Sequence, residues 1–334
     1  MRRRSRAARR RRTLFAIAAA VAAVFLASAA GFAAFGPGPS ARTGDVTEVL
    51  LPRGSGVAGV AAALKSEGVI RSEWVFQVLA RATGAGRSLK AGEYAIPSRA
   101  SPLTILSDLT AGRTIVRKVT LPEGLTSAMI VRQLQSVSWL TGEVTVPEEG
   151  TLLPETYRAE RGDTRQSLLD RMRADQQALL DRLWASRKPG LPLATPQEAV
   201  ILASIVEKET GLRDERRRVA GVFINRLRIG MRLQSDPTVI YAVSRGEPLS
   251  RGIRASELAS RSPWNTYAYS GLPPTPIANP GRASLEAVLD PLETRELFFV
   301  ADGSGGHVFA ETLEAHNANV ARWRQVERAR AAGG

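Results

Sequence analysis

Between residues 13 and 35 the chain runs for 23 positions without a charge, TLFAIAAAVAAVFLASAAGFAAF, directly behind a stretch that is mostly arginine. As a helix rising ~1.5 Å per residue this run reaches about 35 Å, enough for the ~30 Å hydrocarbon core of a bilayer. Eight arginines lie within residues 1–12. They predict a basic tail in the cytoplasm, a transmembrane helix over 13–35 and the rest of the chain outside. A cleaved export signal is the alternative, since Ala27-Ser28-Ala29 offers a cleavage site and Arg11-Arg12 resembles a twin-arginine start. The run exceeds the ~7–15 residues of an ordinary signal core, which favours a retained anchor.

The net charge of +14 would suggest a nucleic-acid partner, but taking away the eight arginines of the tail leaves +6. The basicity is largely the tail, and no nucleic-acid partner is expected. With 334 residues the chain has room for a membrane segment and roughly two domains. Cysteine is absent, which removes disulfides, thiolate metal sites and thiol nucleophiles. The two histidines, His307 and His316, are too few for a histidine-rich metal centre. No GxGxxG, P-loop, Gly-x-Ser-x-Gly or HExxH pattern occurs, so no metal and no cofactor are expected.

Residues 36–44, GPGPSARTG, read as a juxtamembrane linker. A short strand ending at Pro52, a helix through Val60 and Leu64, a helix from about Ser72 and a strand in KAGEYAIP (90–97) predict a small strand–helix–helix–strand module over 45–118. VLLPRGS (49–55) and VTLPEGL (119–125) share V-x-L-P-x-G, each leading into a helical pattern, so one strand–turn–helix element is used twice. EGTLLPETYR (149–158) reads as a turn that packs Leu152, Leu153 and Tyr157 on the core. An amphipathic helix over 164–188 carries Leu168, Leu169, Met172, Leu179, Leu180 and Leu183 as its apolar stripe.

The region 195–241 organises what remains. Thr195 is a cap, Pro196 suits the first helical position, Glu198 completes a capping box and Gly211 supplies the stop. Ala199, Leu202, Ala203, Ile205 and Val206 fall on one apolar arc, with Glu209 on one flank and Glu207 on the other. A carboxylate on that flank is partly desolvated, and at the negative end of the helix its pKa rises further, as a general acid requires. Periodicity alone does not choose between Glu209 and Glu207. A second amphipathic helix carries Val219, Val222, Phe223 and Leu227, ends at Gly230, and pairs with the first as a hairpin. Arg216, Arg217 and Arg218 read as its solvated face.

Gln234 and Asp236 in RLQSDPT, and Asn265 and Tyr267 in WNTY, are polar or aromatic groups in loop-like stretches of the kind that carry binding residues. Turn capping is the alternative for Asp236 and Asn265. GLPPTPIANPG (271–281) must be an extended loop, because its prolines cannot enter a helix interior. LFFVADGSGGHVFAET reads as a hairpin about a DGSGG turn, followed by a final helix containing Trp323. His307 and His316 read as structural hydrogen-bonding groups, with a cleft-lining role as the alternative. The mixed order of short strands and helices predicts an α+β domain over 119–330.

ASIVEKETG, VFINRLRIGMRLQSDPTVIY, SPWNTYAYSGLPPTPIANPG and FVADGSGGHVF, in this order, resemble the endolytic murein transglycosylase family of YceG-like proteins. The resemblance runs from about residue 45 to the C-terminus and is dense over 195–320. It implies a LysM-like module at 45–118 ahead of a transglycosylase catalytic domain at 119–330. It also implies cleavage of the bond between N-acetylmuramic acid and N-acetylglucosamine by one acid/base carboxyl, which matching of KET assigns to Glu209. Gln234, Asp236, Asn265 and Tyr267 are then expected to contact sugar or orient that carboxyl. The implied product carries a 1,6-anhydromuramyl end, and the implied partners are peptidoglycan strands and, by association, their synthases. A non-catalytic glycan-binding scaffold and a muramidase that uses water are the competing readings. At 149–158 this chain has Leu153 and Glu155 where the family usually has an aromatic residue and Asp, which weakens any expectation of glycan stacking there.

Overall fold

In the computed structural model residues 2–333 are described, with side chains from residue 13 to 328 and at residue 330. The side chains of the arginine tail lie outside these described residues. Helix α1 (Arg2–Phe35) carries the uncharged run in one unbroken helix whose side chains are almost all bare. Within it Thr13–Phe35 is long and apolar enough to cross a membrane. The chain divides into two compact units, residues 1–117 with 160–162, and residues 118–159 with 163–334.

Beyond α1 the first unit holds β1 (Val46–Leu51), α2 (Val57–Ser66), α3 (Glu73–Ala82), β2 (Gly92–Pro97) and α4 (Pro102–Ala111). The two strands pair antiparallel, Val46 facing Pro97 and Leu51 facing Gly92. Alternation sends Val49, Leu51, Tyr94 and Ile96 inward, where they meet Leu64 of α2, Phe76 of α3 and Leu109 of α4. Each such buried side chain contributes about 1.5–3 kcal/mol, which is what holds so small a unit together. The expected strand–helix–helix–strand order is present. Helix α4 extends it: Ser101 caps it by accepting from Thr104 N–H at 3.2 Å, Pro102 opens it, and Gly112 ends it at φ 73°. The stretch expected to be a linker is pinned. Gly38 N–H donates to Arg99 O, Arg99 N–H to Pro39 O, and Ala41 N–H to Ser98 Oγ, so residues 38–41 run along the unit as part of it.

In the second unit β3 (Arg117–Thr120), whose first residue belongs to the other unit, pairs with β4 (Thr156–Ala159), and α5 (Ser127–Ser136) follows the first of them. Both copies of V-x-L-P-x-G therefore join a strand to a helix. Leu152, Leu153 and Tyr157 are buried, as the turn reading of 149–158 requires. Helix α6 (Arg165–Ala185) leads to α7 (Pro196–Glu209) and α8 (Arg213–Arg228), and α11 (Arg282–Leu289) packs against α6, α7 and α8. Between α8 and α11 lie α9 (Asp236–Ser244) and α10 (Ala255–Leu258); β5 (Phe298–Ala301), β6 (His307–Ala310) and α12 (Leu313–Gly333) complete the chain. Strands β5 and β6 form the expected antiparallel hairpin, Phe298 opposite Ala310.

Helix α7 is the axis of this unit. Thr195 Oγ1 accepts from Glu198 N–H at 3.2 Å, and Glu198 reaches back to the N–H of Ala194. Every residue from Ala199 to Val206 is buried, so the expected arc is in fact the whole circumference. The helix ends on Thr210 in an extended conformation (φ −140°, ψ 132°), and Gly211 does not take the left-handed conformation expected of a glycine stop. One further expectation fails at α8. Arg217 and Arg218 lie toward solvent, pairing with Asp290 and Glu296, but Arg216 is only 6% exposed. It meets Glu207 at 3.2 Å and Glu123 at 3.5 Å, because packing against α7 leaves a buried carboxylate that must be neutralised.

Candidate active site

The last turn of α7 sends its two carboxylates to different neighbours. Glu207 is saturated: Arg216 bonds one oxygen and Gly281 N–H donates to the other at 2.9 Å. Among the described residues no cation is bonded to Glu209. Its Oε1 accepts a hydrogen bond from Ser235 Oγ, just ahead of α9. Burial, helped by the neighbouring Asp236, pushes the Glu209 carboxyl up to about 7. The Ser235 bond, and more weakly His307 and Arg226, hold it back. Near neutral pH the group is therefore divided between acid and carboxylate, which suits it to give a proton and to take one back.

Ser235 is fixed from three sides. Its N–H donates to Thr266 Oγ1 at 3.0 Å, its carbonyl accepts from Thr238 Oγ1 at 2.6 Å, and the two threonine hydroxyls are 2.9 Å apart. Gln234 N–H donates to Thr266 O, and Gln234 takes φ 49°, so the chain turns sharply to present Ser235 inward. The segment 235–238 and the WNTY loop are thus one hydrogen-bonded frame around Glu209.

The proline-rich loop is held just as firmly. Asn279 donates through Nδ2 to Leu125 O, Ser127 Oγ and Glu149 Oε1, and its Oδ1 accepts from Leu152 N–H. Ser204 Oγ in α7 accepts from Ile277 N–H at 3.0 Å. Trp264 donates to Thr275 Oγ1 and lies beneath the Arg245 guanidinium at 4.3 Å.

The other side of the site is cationic. Arg226 of α8 is buried and donates to the carbonyls of Leu297 and Leu233; burial weakens its hold on its proton, and Glu209 and Tyr267 partly restore it. His307 opens β6. Its N–H and its Nδ1 engage the two oxygens of Glu215 at 2.8 and 2.7 Å, while Phe299 meets the ring edge-on. Thr210 Oγ1 lies 3.5 Å from the same carboxylate. His316 stacks on Phe298 at 5.1 Å, its Nδ1 buried without a partner, and burial lowers its proton affinity.

The residues singled out in the sequence separate here. Asp236 and Tyr267 come together with Glu209: the Tyr267 hydroxyl donates to Asp236 Oδ1 at 2.6 Å, and burial with this bond raises the tyrosine's proton affinity. Asp236 is the first residue of α9, not part of a loop as expected. Gln234 is exposed at the turn, contributing its backbone to the frame. Asn265 is fully buried. Its Nδ2 donates to Leu258 O and Ser260 O and its Oδ1 accepts from Tyr267 N–H, so it clamps the loop. The structure adds Ser235, Arg226 and Glu215 to the site. A serine before Asp-Pro is a helix-start signal, and Arg226 falls on the apolar face of α8 four residues after Val222, which marks it as buried. Among the described residues no group of three or more His, Asp or Glu side chains is arranged to hold a metal ion.

The model of the YceG-like family matches residues 49–322. A Bacillus subtilis protein named endolytic murein transglycosylase is 31% identical over 300 residues, which cover 80% of this chain and 82% of that protein. A Streptococcus pneumoniae protein of the same name is 29% identical over 320 residues, covering 81% of this chain and 57% of its own length. A crystal structure of a YceG-like protein from Listeria monocytogenes, 28% identical, aligns over 83% of this chain and 99% of its own with a TM-score of 0.51. With most of its length matched by one family model and by these relatives, the chain belongs to the YceG-like family.

Proposed function

We propose that this protein is a membrane-anchored endolytic murein transglycosylase in which Glu209 is the single acid/base group. The relatives' names carry the activity to the chain, and one observation carries the residue. Glu209 is the carboxyl that burial holds near pKa 7 beside a neutral donor, while its neighbour Glu207 is locked by Arg216 and Gly281.

In this reading the protonated Glu209 gives its proton to the oxygen between N-acetylmuramic acid and N-acetylglucosamine as the glycosidic bond breaks. The carboxylate so formed takes the proton of the muramic 6-hydroxyl, which closes on its own anomeric carbon. The product ends in 1,6-anhydromuramic acid, the other fragment leaves with a free hydroxyl, and no water is consumed. Ser235 orients the carboxyl in both states, since its hydroxyl bonds an oxygen that carries no proton in either. Asp236, tied to Tyr267, supplies negative charge beside the positive charge that develops on the sugar ring. Glycosidases that use water generally need a second carboxylate to activate it.

The same reading puts residues 1–12 in the cytoplasm and the catalytic unit outside, near the machinery that extends glycan strands. The first unit is then a LysM-like module that binds glycan or fixes the height of the site. Purified murein digested with the full-length protein and analysed by mass spectrometry tests it. Anhydromuramyl ends are expected; reducing ends in their place would make the protein a muramidase, and no products would make it a scaffold.

A further inference from the structure

The end of α1 is built into the first unit. Ala34 is only 7% exposed, and the last turn of the helix packs against α3 and α4. Phe32, Ala33 and Gly36 line a cavity of about 200 Å³ together with Arg71, Ser72, Val75 and Pro102. Gly36 N–H still donates to Phe32 O at 2.8 Å, and two residues later Gly38 runs so close to Ala100 that a Cβ there would stand 2.3 Å from its carbonyl oxygen. Only glycine permits this approach. The backbone bonds of Gly38, Pro39 and Ala41 to the segment 98–99 then continue the attachment. No flexible tether separates the helix from the unit, so the helix sets the attitude of α3 toward whatever surrounds α1.

Helix α3 presents an exposed apolar edge beside that junction. Trp74 is 72% exposed and Val78, one turn on, is 39% exposed, flanked by the exposed Arg71 and Arg81. Val75, the neighbour of Trp74, lines that cavity together with Phe32. A tryptophan bare in water wastes a large apolar face, whereas at the headgroup level of a bilayer its ring and its N–H are both accommodated. Arginines beside it can extend to the phosphates while their stems lie along the lipid.

We infer that the Trp74–Val78 face of α3 rests in the headgroup boundary of the bilayer crossed by α1, a second membrane contact that fixes the first unit against the lipid surface. The inference rests on α1 spanning the membrane, and the test separates the two. Because the chain has no cysteine, a single environment-sensitive fluorophore can be attached at any chosen position of the full-length protein. Ala20→Cys reports on α1, Trp74→Cys and Val78→Cys on the proposed contact, the latter with Trp74 intact. Ala111→Cys, about 14 Å along α4 from Pro102, is the water-facing control. The protein is reconstituted in phosphatidylcholine–phosphatidylglycerol nanodiscs, with spin labels either near the headgroups or deep in the acyl chains.

Deep quenching at position 20 is expected. At 74 and 78, blue-shifted emission, shallow quenching and loss of iodide quenching are expected, against full iodide quenching at 111. If 20 is embedded while 74 and 78 behave like 111, the contact is refuted and the anchor stands. If 74 and 78 escape both iodide and lipid quencher, protein covers them and the contact is refuted too. If 20 is itself in water, anchor and contact fall together.

Discussion

The proton affinity of Glu209 is the balance of neighbours that can be removed singly, and each removal has a sign. Ser235 lowers it and Asp236 raises it. Ser235→Ala is therefore expected to move the alkaline limb of the pH–rate profile upward and Asp236→Asn to move it downward, read from kcat/KM on purified glycan between about pH 5 and 9. His307→Gln, which removes a group that lowers the Glu209 value, should also shift the limb upward. Stability follows the same group. The native carboxyl holds its proton up to about 7 where the unfolded chain releases it near 4.5. Folding thus takes up a proton inside that window, and stability falls as pH rises through it, with no further loss above. Glu209→Gln keeps the acceptor for Ser235 and removes the charge, so calorimetry should find it more stable than wild type at about pH 8, by up to ~3 kcal/mol, and equal to it at about pH 4. Equal stability at both would mean that the carboxylate is not desolvated.

At the scale of elements, the buried Arg216–Glu207 pair joins the two central helices, and its dependence on both partners is the check. Arg216→Ala leaves an uncompensated carboxylate between α7 and α8 and should cost about 3–5 kcal/mol in urea denaturation, whereas Arg216→Met with Glu207→Leu together should cost far less. Much of this architecture was readable. The Thr195 cap, the Pro196 start, the apolar positions of α7 and α8, the DGSGG hairpin and the doubled strand–turn–helix all follow from local chemistry acting over a few residues. Partners distant in the chain were not readable. Periodicity reports a helix face but not what meets it, so three consecutive arginines looked alike, although Arg217 and Arg218 find carboxylates 73 and 78 residues away and Arg216 is enclosed by α7. The same limit hid the role of Asn279, whose bonds span up to 154 residues, and that of Ser235. Helix α9 is not legible in the sequence because Asp236-Pro237 is equally a turn signal, and only packing of Val239 and Tyr241 in the core decides for a helix.

Over the whole molecule, the first unit has a core of its own and the second has two clusters, one around α7, α8 and α11 and one around β3, β4 and α5. The proposed anchor makes a simple demand on the protein isolated from cells. Its intact mass should include residues 1–35, and it should stay with the membranes through alkaline carbonate extraction; a mass beginning after Ala29 would instead mark a cleaved signal. The central claim is narrower than location. It is that one carboxyl, desolvated at the end of α7 and held by Ser235, cuts the glycan. The direct measurement is the yield of 1,6-anhydromuramyl ends from murein digested by wild type and by Glu209→Gln side by side, with circular dichroism confirming that both are folded. The amide variant is predicted to lose at least ~100-fold in yield, in line with removal of a general acid. Undiminished anhydro ends from a folded Glu209→Gln would contradict the account.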